Sequence, residues 1–487
     1  MSKNVTDQSA AASKKIASRR IDILVNALRS NEATGDHTIA LARALLRQQA
    51  TVRVFSPVVG ALPPDIQMIT HTLDASDYPA DADLCIVQYA AWYPLAEVLH
   101  RIKMPTIFWY HGITPPELWS AAADQAILRN GRQRTNLVWL ATLAVCTSPF
   151  TAQELTELTH YPSERTLIVP LGIDTRHFTT PCDPQQLNTL RTRWQLHGKR
   201  ILLYVGRIAE HKRIDLLIDA MAQLHTDLPN LHALIVGDVA ASTATRDLHK
   251  ILQAQAVAKG IEPAITFTGR VETVTPYYQL AELYVQPSQH EGFGAPLGEA
   301  MAAGLPVIAS ASGAMPWVLD ANLVDKEAAG CLFTPGDSVD LAHQIKQLLA
   351  DPARRTALIA RGKARVADFE LESFDAHVQA VIAAALTSAQ QTPPAPSRPP
   401  SPLYAAADVA LRDYKVRSSI PGLGRLIEWV RTNSTAHLKE AYLDRIIEQQ
   451  VNYNRQMAQE LARLQAEVEA LQREIDALKR RDDRMKG

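Results

Sequence analysis

Residues 290–310 read HEGFGAPLGEAMAAGLPVIAS. The apolar run LYVQP (283–287) just before them suits a buried strand, and Pro296 suits the first turn of a helix. Gly304 followed by Leu305-Pro306 is a stop signal, and PVIAS opens the next strand. The stretch therefore predicts a strand, a glycine-bearing loop, a short helix and another strand. Such a connection needs neither Glu291, which falls in the loop, nor Glu299, which falls inside the helix. With one in each, helical i,i+4 pairing does not explain them.

Outward from this stretch the same alternation recurs. IDILVNAL (21–28), TVRVFS (51–56), LCIVQY (84–89), PTIFWY (105–110), LAVCTS (143–148) and LIVPLG (167–172) are short apolar runs separated by amphipathic stretches. A polar interval at about 174–198 interrupts them, and RILLYVG (200–206), LHALIVG (231–237), AITFTG (264–269), AELYVQ (281–286) and LPVIAS (305–310) follow. That is the pattern of βαβ units on two successive parallel sheets. The fold class expected is α/β, with two Rossmann-like domains facing a cleft and ligands at the carboxyl ends of the strands. NLVWLATLAVC (136–146) reads as a buried element of a soluble fold.

The chain of 487 residues has room for two or three domains, and its net charge of −1 argues against a general nucleic-acid binder. Four cysteines, Cys85, Cys146, Cys182 and Cys331, lie scattered with no C-x-x-C spacing, which suits a reducing cytoplasm and offers no zinc or disulfide framework. Residues 1–20 are polar and read as a disordered N-terminus, neither signal peptide nor membrane span. The domains are expected at 21–187 (acceptor side) and 188–370 (donor side), with a helix at 371–387. A proline-rich linker at 388–402 and a helical segment at 403–446 follow.

Residues 447–481 read as a coiled coil, with Ile447, Asn454, Leu461, Val468 and Ile475 at a, and Gln450, Met457, Leu464, Leu471 and Leu478 at d. Val and Ile at a, Leu at d and one Asn at a favour a parallel dimer, so self-association is expected through this seam. Ahead of it, SSIPGLGRLIEWVRTNS (418–434) mixes Ile420, Trp429 and Val430 with Arg425 and Arg431. That segment could dock on the body, on a partner, or peripherally on a membrane surface.

Several loops fall at strand ends where a ligand should sit. RIAEHKRID follows RILLYVG and places Arg207 and Lys212 before or within the first turn of a helix. Two cations at a helix N-terminus make a diphosphate site, or else a solvated basic turn. The glycines of GFGAPLGE let backbone amides approach an anion. A carboxylate beside phosphate is repulsive, so Glu291 and Glu299 should face hydroxyls. Asp81-Ala82-Asp83 looks like a metal-binding D-x-D, but it precedes a buried strand rather than following one. The chain lacks both the dinucleotide-binding and the P-loop glycine patterns, so dehydrogenase and P-loop readings fail.

Taken together, YVGRIAEHKRIDLLIDA (204–220), the E-x7-E of Glu291 and Glu299, VPLGIDTRHF (169–178) and YHGITPPE (110–117) resemble the family 4 retaining glycosyltransferases, over most of residues 21–387. The resemblance implies the two-domain GT-B architecture, a nucleotide-diphosphate sugar as donor and no cofactor or metal. It implies that Arg207 and Lys212 neutralise the diphosphate, Glu299 binds ribose and Glu291 contacts the transferred sugar. The amides of Gly294, Ala295, Pro296 and Leu297 would cradle phosphate or sugar, and Arg270-Val271 would hold the base. Gly35 would correspond to the family's glycine loop, although only Gly35 and then Asp36 stand where paired glycines are usual. His111 matches a histidine near the reacting sugar, and Asp174 reads as a cap. Retention would follow from front-face attack, the departing phosphate taking the acceptor's proton. The expectation is a cytoplasmic hexosyltransferase, in the cytosol or at the inner face of the membrane. Its acceptor would be a glycan or lipid-linked chain in bacterial surface polysaccharide synthesis. A scaffold of a polysaccharide assembly complex, or a sugar-nucleotide epimerase on the same fold, stands as the alternative.

Overall fold

The computed structural model describes residues 16–30, 32–321 and 327–388. The expected linker beyond Ser388, the helical segment, the membrane-docking stretch and the coiled coil lie outside the described residues. Seven strands form the first sheet: β1 (Arg20–Leu24), β2 (Thr51–Ser56), β3 (Thr70–Thr72), β4 (Leu84–Tyr89), β5 (Thr106–Tyr110), β6 (Leu143–Cys146) and β7 (Thr166–Ile168). Their spatial order is β3-β2-β1-β4-β5-β6-β7, parallel throughout. The second sheet holds β8 (Arg200–Val205), β9 (Leu231–Val236), β10 (Ile265–Gly269), β11 (Leu283–Gln286), β12 (Val307–Ser310) and β13 (Cys331–Phe333). Its order, β10-β9-β8-β11-β12-β13, repeats the first, again all parallel. Each sheet winds from its centre to one edge and then builds the other, so a crevice opens at the carboxyl end between β1 and β4, and between β8 and β11.

The apolar runs are near-continuous because parallel sheets are covered on both faces. β4, β5, β6, β9, β11 and β12 are buried along their whole length. Four apolar clusters cover the two faces of the two sheets. The helices that matter below are α1 (Ala33–Arg47), α2 (Pro149–Thr159), α3 (Ile214–Leu224), α4 (Ala295–Ala302) and α5 (Leu371–Ser388). On α5, Phe374, Val378, Val381, Ile382, Ala385 and Leu386 all pack into the core of the first sheet. Each such fully buried large apolar side chain contributes about 1.5–3 kcal/mol.

Three expectations are corrected, and two edge strands are added. Residues 16–20 are ordered rather than disordered: Ile16 is fully buried under the first sheet, and Arg19 and Arg20 pair with Asp83 and Asp81. Residues 136–146 are two elements, a 3-10 turn (Thr135–Leu140) and then β6, because the chain must reverse before entering the sheet. The boundary expected at 187/188 falls inside the helix Pro184–Arg193, whose Leu187 and Leu190 pack on the second domain, as do Leu171, Ile173 and Phe178 before it. The edge strands β3 and β13 escaped notice because three residues each, THT and CLF, carry no period.

Candidate active site

The loop after β11 is the centre of the site, and its backbone is tied across the cleft. Ser148 Oγ and Thr147 Oγ1, at the end of β6, donate to the carbonyl of Gly292 at 2.7 and 3.2 Å. A Cβ on Gly292 would lie 2.0 Å from the carbonyl oxygen of His111, so only glycine allows this approach. Behind it, buried His290 meets Glu154 of α2 at 3.4 Å. Glu154 also accepts from Tyr110 Oη at 2.7 Å and from Arg132 at 2.7 Å. Burial raises the Glu154 carboxyl, and His290, Tyr110 and Arg132 together outweigh it, holding Glu154 below its ordinary range. A further tie joins Ser120 to Glu210, with its N–H and hydroxyl both donating at 2.6 Å.

Glu291 lies within this loop and is 9% exposed. Its Oε1 accepts from Lys212 Nζ at 2.6 Å and from Gln286 Nε2 at 2.6 Å. Gln286, the last residue of β11, is itself oriented by Tyr284 Oη, which donates to its carbonyl oxygen at 2.9 Å. Burial raises Glu291, but Lys212 overcomes it and the carboxyl sits below its ordinary value, charged at neutral pH. Lys212 belongs to a 3-10 turn (Glu210–Lys212), and Arg213, in the left-handed region at φ 51°, separates that turn from α3. Both cations thus precede the helix. Arg207 is exposed, with no hydrogen bond or ion pair of its guanidinium to other described residues, and Tyr204 Oη holds its carbonyl at 3.1 Å. The geometry therefore joins Lys212 to Glu291 directly, a pairing that spacing alone did not reveal.

Glu299 lies on α4, half-buried, and accepts from Tyr278 Oη at 2.7 Å. Burial pushes its carboxyl up to about 7; the Tyr278 hydrogen bond opposes this, and the charge of Asp36, reaching across from α1, adds to it. Gly294 sits at φ +91° as the N-cap of α4. Pro296 has no N–H and Leu297 donates its own to the Gly294 carbonyl at 2.9 Å, so Gly294 and Ala295 are the amides that could meet an anion. Arg270 is exposed after β10, and Val271 packs its side chain against the second domain's core.

From the first domain, His111 follows β5, its N–H bonded to the Tyr89 carbonyl at 3.0 Å. Its Nε2 lies 2.5 Å from Gln88 Oε1, and burial lowers its pKa to about 3. Gly35 lies in the first turn of α1, where a Cβ would come 1.9 Å from the Arg29 carbonyl. The close approach there is to backbone, which by itself accounts for a glycine. Asp174 occupies the N-cap position of the turn Thr175–Thr179 but makes no capping hydrogen bond with its side chain. Asp81 is held by Arg53 and Arg20, and Asp83 by Arg19, so the D-x-D carboxylates serve an ion-pair network at the amino end of the first sheet. Among the described residues no cluster of three or more His, Cys, Asp or Glu could hold a metal ion.

The residues that spacing missed are Gln88, Gln286, Tyr278, Asp36, Glu154, His290 and Gly292. Gln88 and Gln286 did leave a signal, as the one side-chain amide in each of the runs LCIVQY and LYVQ.

Two family models match in tandem: Glycosyltransferase Family 4 over residues 34–177 and Glycosyl transferases group 1 over residues 188–365. Among curated proteins, the chain is 32% identical over 256 residues to a D-inositol 3-phosphate glycosyltransferase of Geodermatophilus obscurus, covering 51% of this chain and 54% of that one. It is 29% identical to O-antigen chain mannosyltransferase B of Escherichia coli, covering 48% and 58%. The chain thus spans a little over half the length of these relatives. Among solved structures, Anabaena HepE in complex with UDP and glucose superposes with a TM-score of 0.63 at 20% identity, covering 75% of this chain and all of that one. Sucrose-phosphate synthase from Thermosynechococcus elongatus does so with a TM-score of 0.63 at 22% identity, covering 76% and 100%.

Proposed function

Since this chain belongs to the family 4 glycosyltransferases and has their two-domain GT-B fold, we propose that it moves a hexosyl group from a nucleotide-diphosphate sugar onto a glycan or lipid-linked acceptor, with retention of configuration. The observation that carries this reading is the Glu291 carboxylate, buried, charged and pinned at one oxygen by Lys212 and Gln286, beside a loop that meets His111 across the cleft. Lys212 and Gln286 both bind Oε1, with Ser288 beside the carboxylate, and a carboxylate has lone pairs enough to accept a sugar hydroxyl as well.

In this reading Arg207 and Lys212 stabilise the negative charge that develops on the departing diphosphate, with the Gly294 and Ala295 amides at the start of α4. Lys212 can bridge Glu291 and a phosphate oxygen, because an ammonium has three donors. Glu299 takes the ribose hydroxyls, Arg270 and Val271 face the base, and neutral His111 contacts the sugar. Gly35 and Asp36 line the opposite wall from α1. The departing phosphate takes the acceptor's proton, so the protein supplies position and charge rather than a nucleophile. Relatives named for O-antigen and lipopolysaccharide mannosyl transfer support a bacterial surface polysaccharide as the product, and a similar structure named for its UDP-glucose complex supports a nucleotide-sugar donor, of the GDP-mannose or UDP-glucose type in this reading. No helix among the described residues is long and apolar enough to cross a membrane.

The test is a thermal-shift panel of UDP-glucose, GDP-mannose and their nucleotides, with and without excess EDTA. A donor at a hundred times its Kd adds about 2.7 kcal/mol. Stabilisation by one donor, transfer that survives chelation and a product with the donor's anomeric configuration are expected. Loss of activity on chelation, restored by manganese, would overturn the metal-independent assignment. C2 inversion of the free nucleotide sugar would favour the epimerase.

A further inference from the structure

A glutamine buried inside a central parallel strand is costly, because an amide taken from water without full hydrogen bonding loses about 1–3 kcal/mol. This chain buries two at equivalent places. Gln88 lies at the carboxyl end of β4 and Gln286 at that of β11, the fourth strand of each sheet and the one that flanks its crevice. They are 1% and 2% exposed. Gln286 donates its amide N–H to Glu291 and so orients it. Gln88 does the opposite: it turns its carbonyl oxygen to His111 Nε2 at 2.5 Å and leaves its own Nε2 buried without a partner.

That orientation has a chemical consequence. An amide oxygen only accepts, so the hydrogen in this contact belongs to His111. His111 is neutral, because burial lowers its pKa to about 3, and a neutral imidazole carries one N–H. The ring of His37 sits edge-on at 4.9 Å, with both nitrogens buried and unpartnered, and offers no competing acceptor bond. Trp109 and Phe374 pack around His37 at 4.9 and 5.4 Å and keep that side apolar.

We propose that Gln88 is a positioning residue, which holds His111 in the Nε2–H form and thereby presents Nδ1 as a lone-pair acceptor for a hydroxyl of the bound sugar. The inference rests on the glycosyl-transfer reading for the identity of that hydroxyl, while the tautomer itself can be measured without any substrate. Nδ1 forms no hydrogen bond among the described residues, so the acceptor is unspent in the free protein. Gln88 itself touches no substrate and acts only through His111.

The experiment uses the full chain labelled with 15N-histidine, with His111→Gln to identify the signal. Native His111 should show the Nε2–H tautomer. In Gln88→Met, of similar shape but without an acceptor, both tautomers should appear. In Gln88→Glu, whose carboxylate again only accepts, Nε2 should stay protonated. Binding of UDP and GDP should be unchanged in Gln88→Met, while kcat for donor turnover falls about tenfold with little change in donor KM. An unchanged His111 tautomer in Gln88→Met, or an Nδ1–H tautomer in the native protein, overturns the proposal. If the native chain binds neither UDP nor GDP, the donor reading fails instead, and the nitrogen spectrum still decides the role of Gln88.

Discussion

Replacing Lys212 by Met removes the cation from a carboxylate that has little water to fall back on. The two side chains are 14% and 11% exposed and their charged atoms lie 2.6 Å apart. Breaking a buried pair by deleting one partner costs about 3–5 kcal/mol. Gln286 keeps donating to the same oxygen, and a hydrogen bond to a charged group is worth about 1.5–3 kcal/mol, so the lower end applies, about 3 kcal/mol. For a domain of this size about 1 kcal/mol moves Tm by 2–4 °C, so the transition of the second domain should fall by about 6–12 °C at pH 8. The pH dependence has a definite sign. In the native protein Lys212 outweighs burial and keeps Glu291 below 4.5, so the pair's contribution is present above that pH and is lost as pH falls through the folded value. In Lys212→Met burial dominates and Glu291 rises above 4.5, so the deficit shrinks as pH falls toward 5. Adding Glu291→Gln to Lys212→Met should recover most of the loss, with a coupling of up to about 3 kcal/mol in the double-mutant cycle. Calorimetry of the four proteins at pH 5 and 8 measures this. A native transition temperature for Lys212→Met at pH 8, or no recovery on adding Glu291→Gln, refutes the pairing argument.

Glu299 behaves oppositely. Its folded pKa near 7 exceeds the ordinary 4.5, so folding takes up a proton between those values and this group's contribution to stability declines as pH rises across that window. Ribose hydroxyls favour the ionised form, so nucleotide affinity should increase as pH passes through about 7. Glu299→Gln should flatten that rise in calorimetric titrations with UDP or GDP, and an unaltered slope would assign it to another group. Gly292→Ala places a methyl against the His111 carbonyl, where a Cβ would be 2.0 Å away, and backbone cannot yield as a flexible side chain can. Both domains should still fold, the radius of gyration from X-ray scattering should increase, and donor turnover should drop by more than tenfold at about 1.4 kcal/mol per decade. A variant as compact and active as the native chain would show that the cleft does not need this contact.

Much of the fold was legible because parallel strands covered on both faces must be apolar throughout, and runs such as LCIVQY, LHALIV and LYVQ announce themselves. One edge of each sheet was not, since strands as short as THT and CLF carry no pattern. Of the site, Glu291, Glu299 and Lys212 stood out by type and spacing within one α/β connection or its neighbour. Their partners did not. Asp36 reaches Glu299 only through the apposition of the two sheets, and Glu154 meets His290 across 136 residues of chain. Gly292 and Gly35 show the same limit from opposite sides: one glycine admits a neighbouring domain's backbone and the other its own, and a sequence prints both as G.

The chain passes between the two domains twice, and the two passages lie side by side. Ile173 on the way out and Glu370 on the way back form a parallel bridge, with Ile173 N–H donating to the Phe369 carbonyl at 2.7 Å and Thr175 Oγ1 to Glu370 Oε1 at 3.2 Å. A single strap would let one lobe swivel about any direction, whereas two stitched together behave like the leaves of a door hinge with a fixed pin. Twist and slide are resisted, and the remaining freedom is rotation about the line of the seam. The Gly292 loop and the His111 backbone that it faces then share one line of approach, the arc about that seam. A closure about such a seam would bring the Gly292 loop back against His111 in one register.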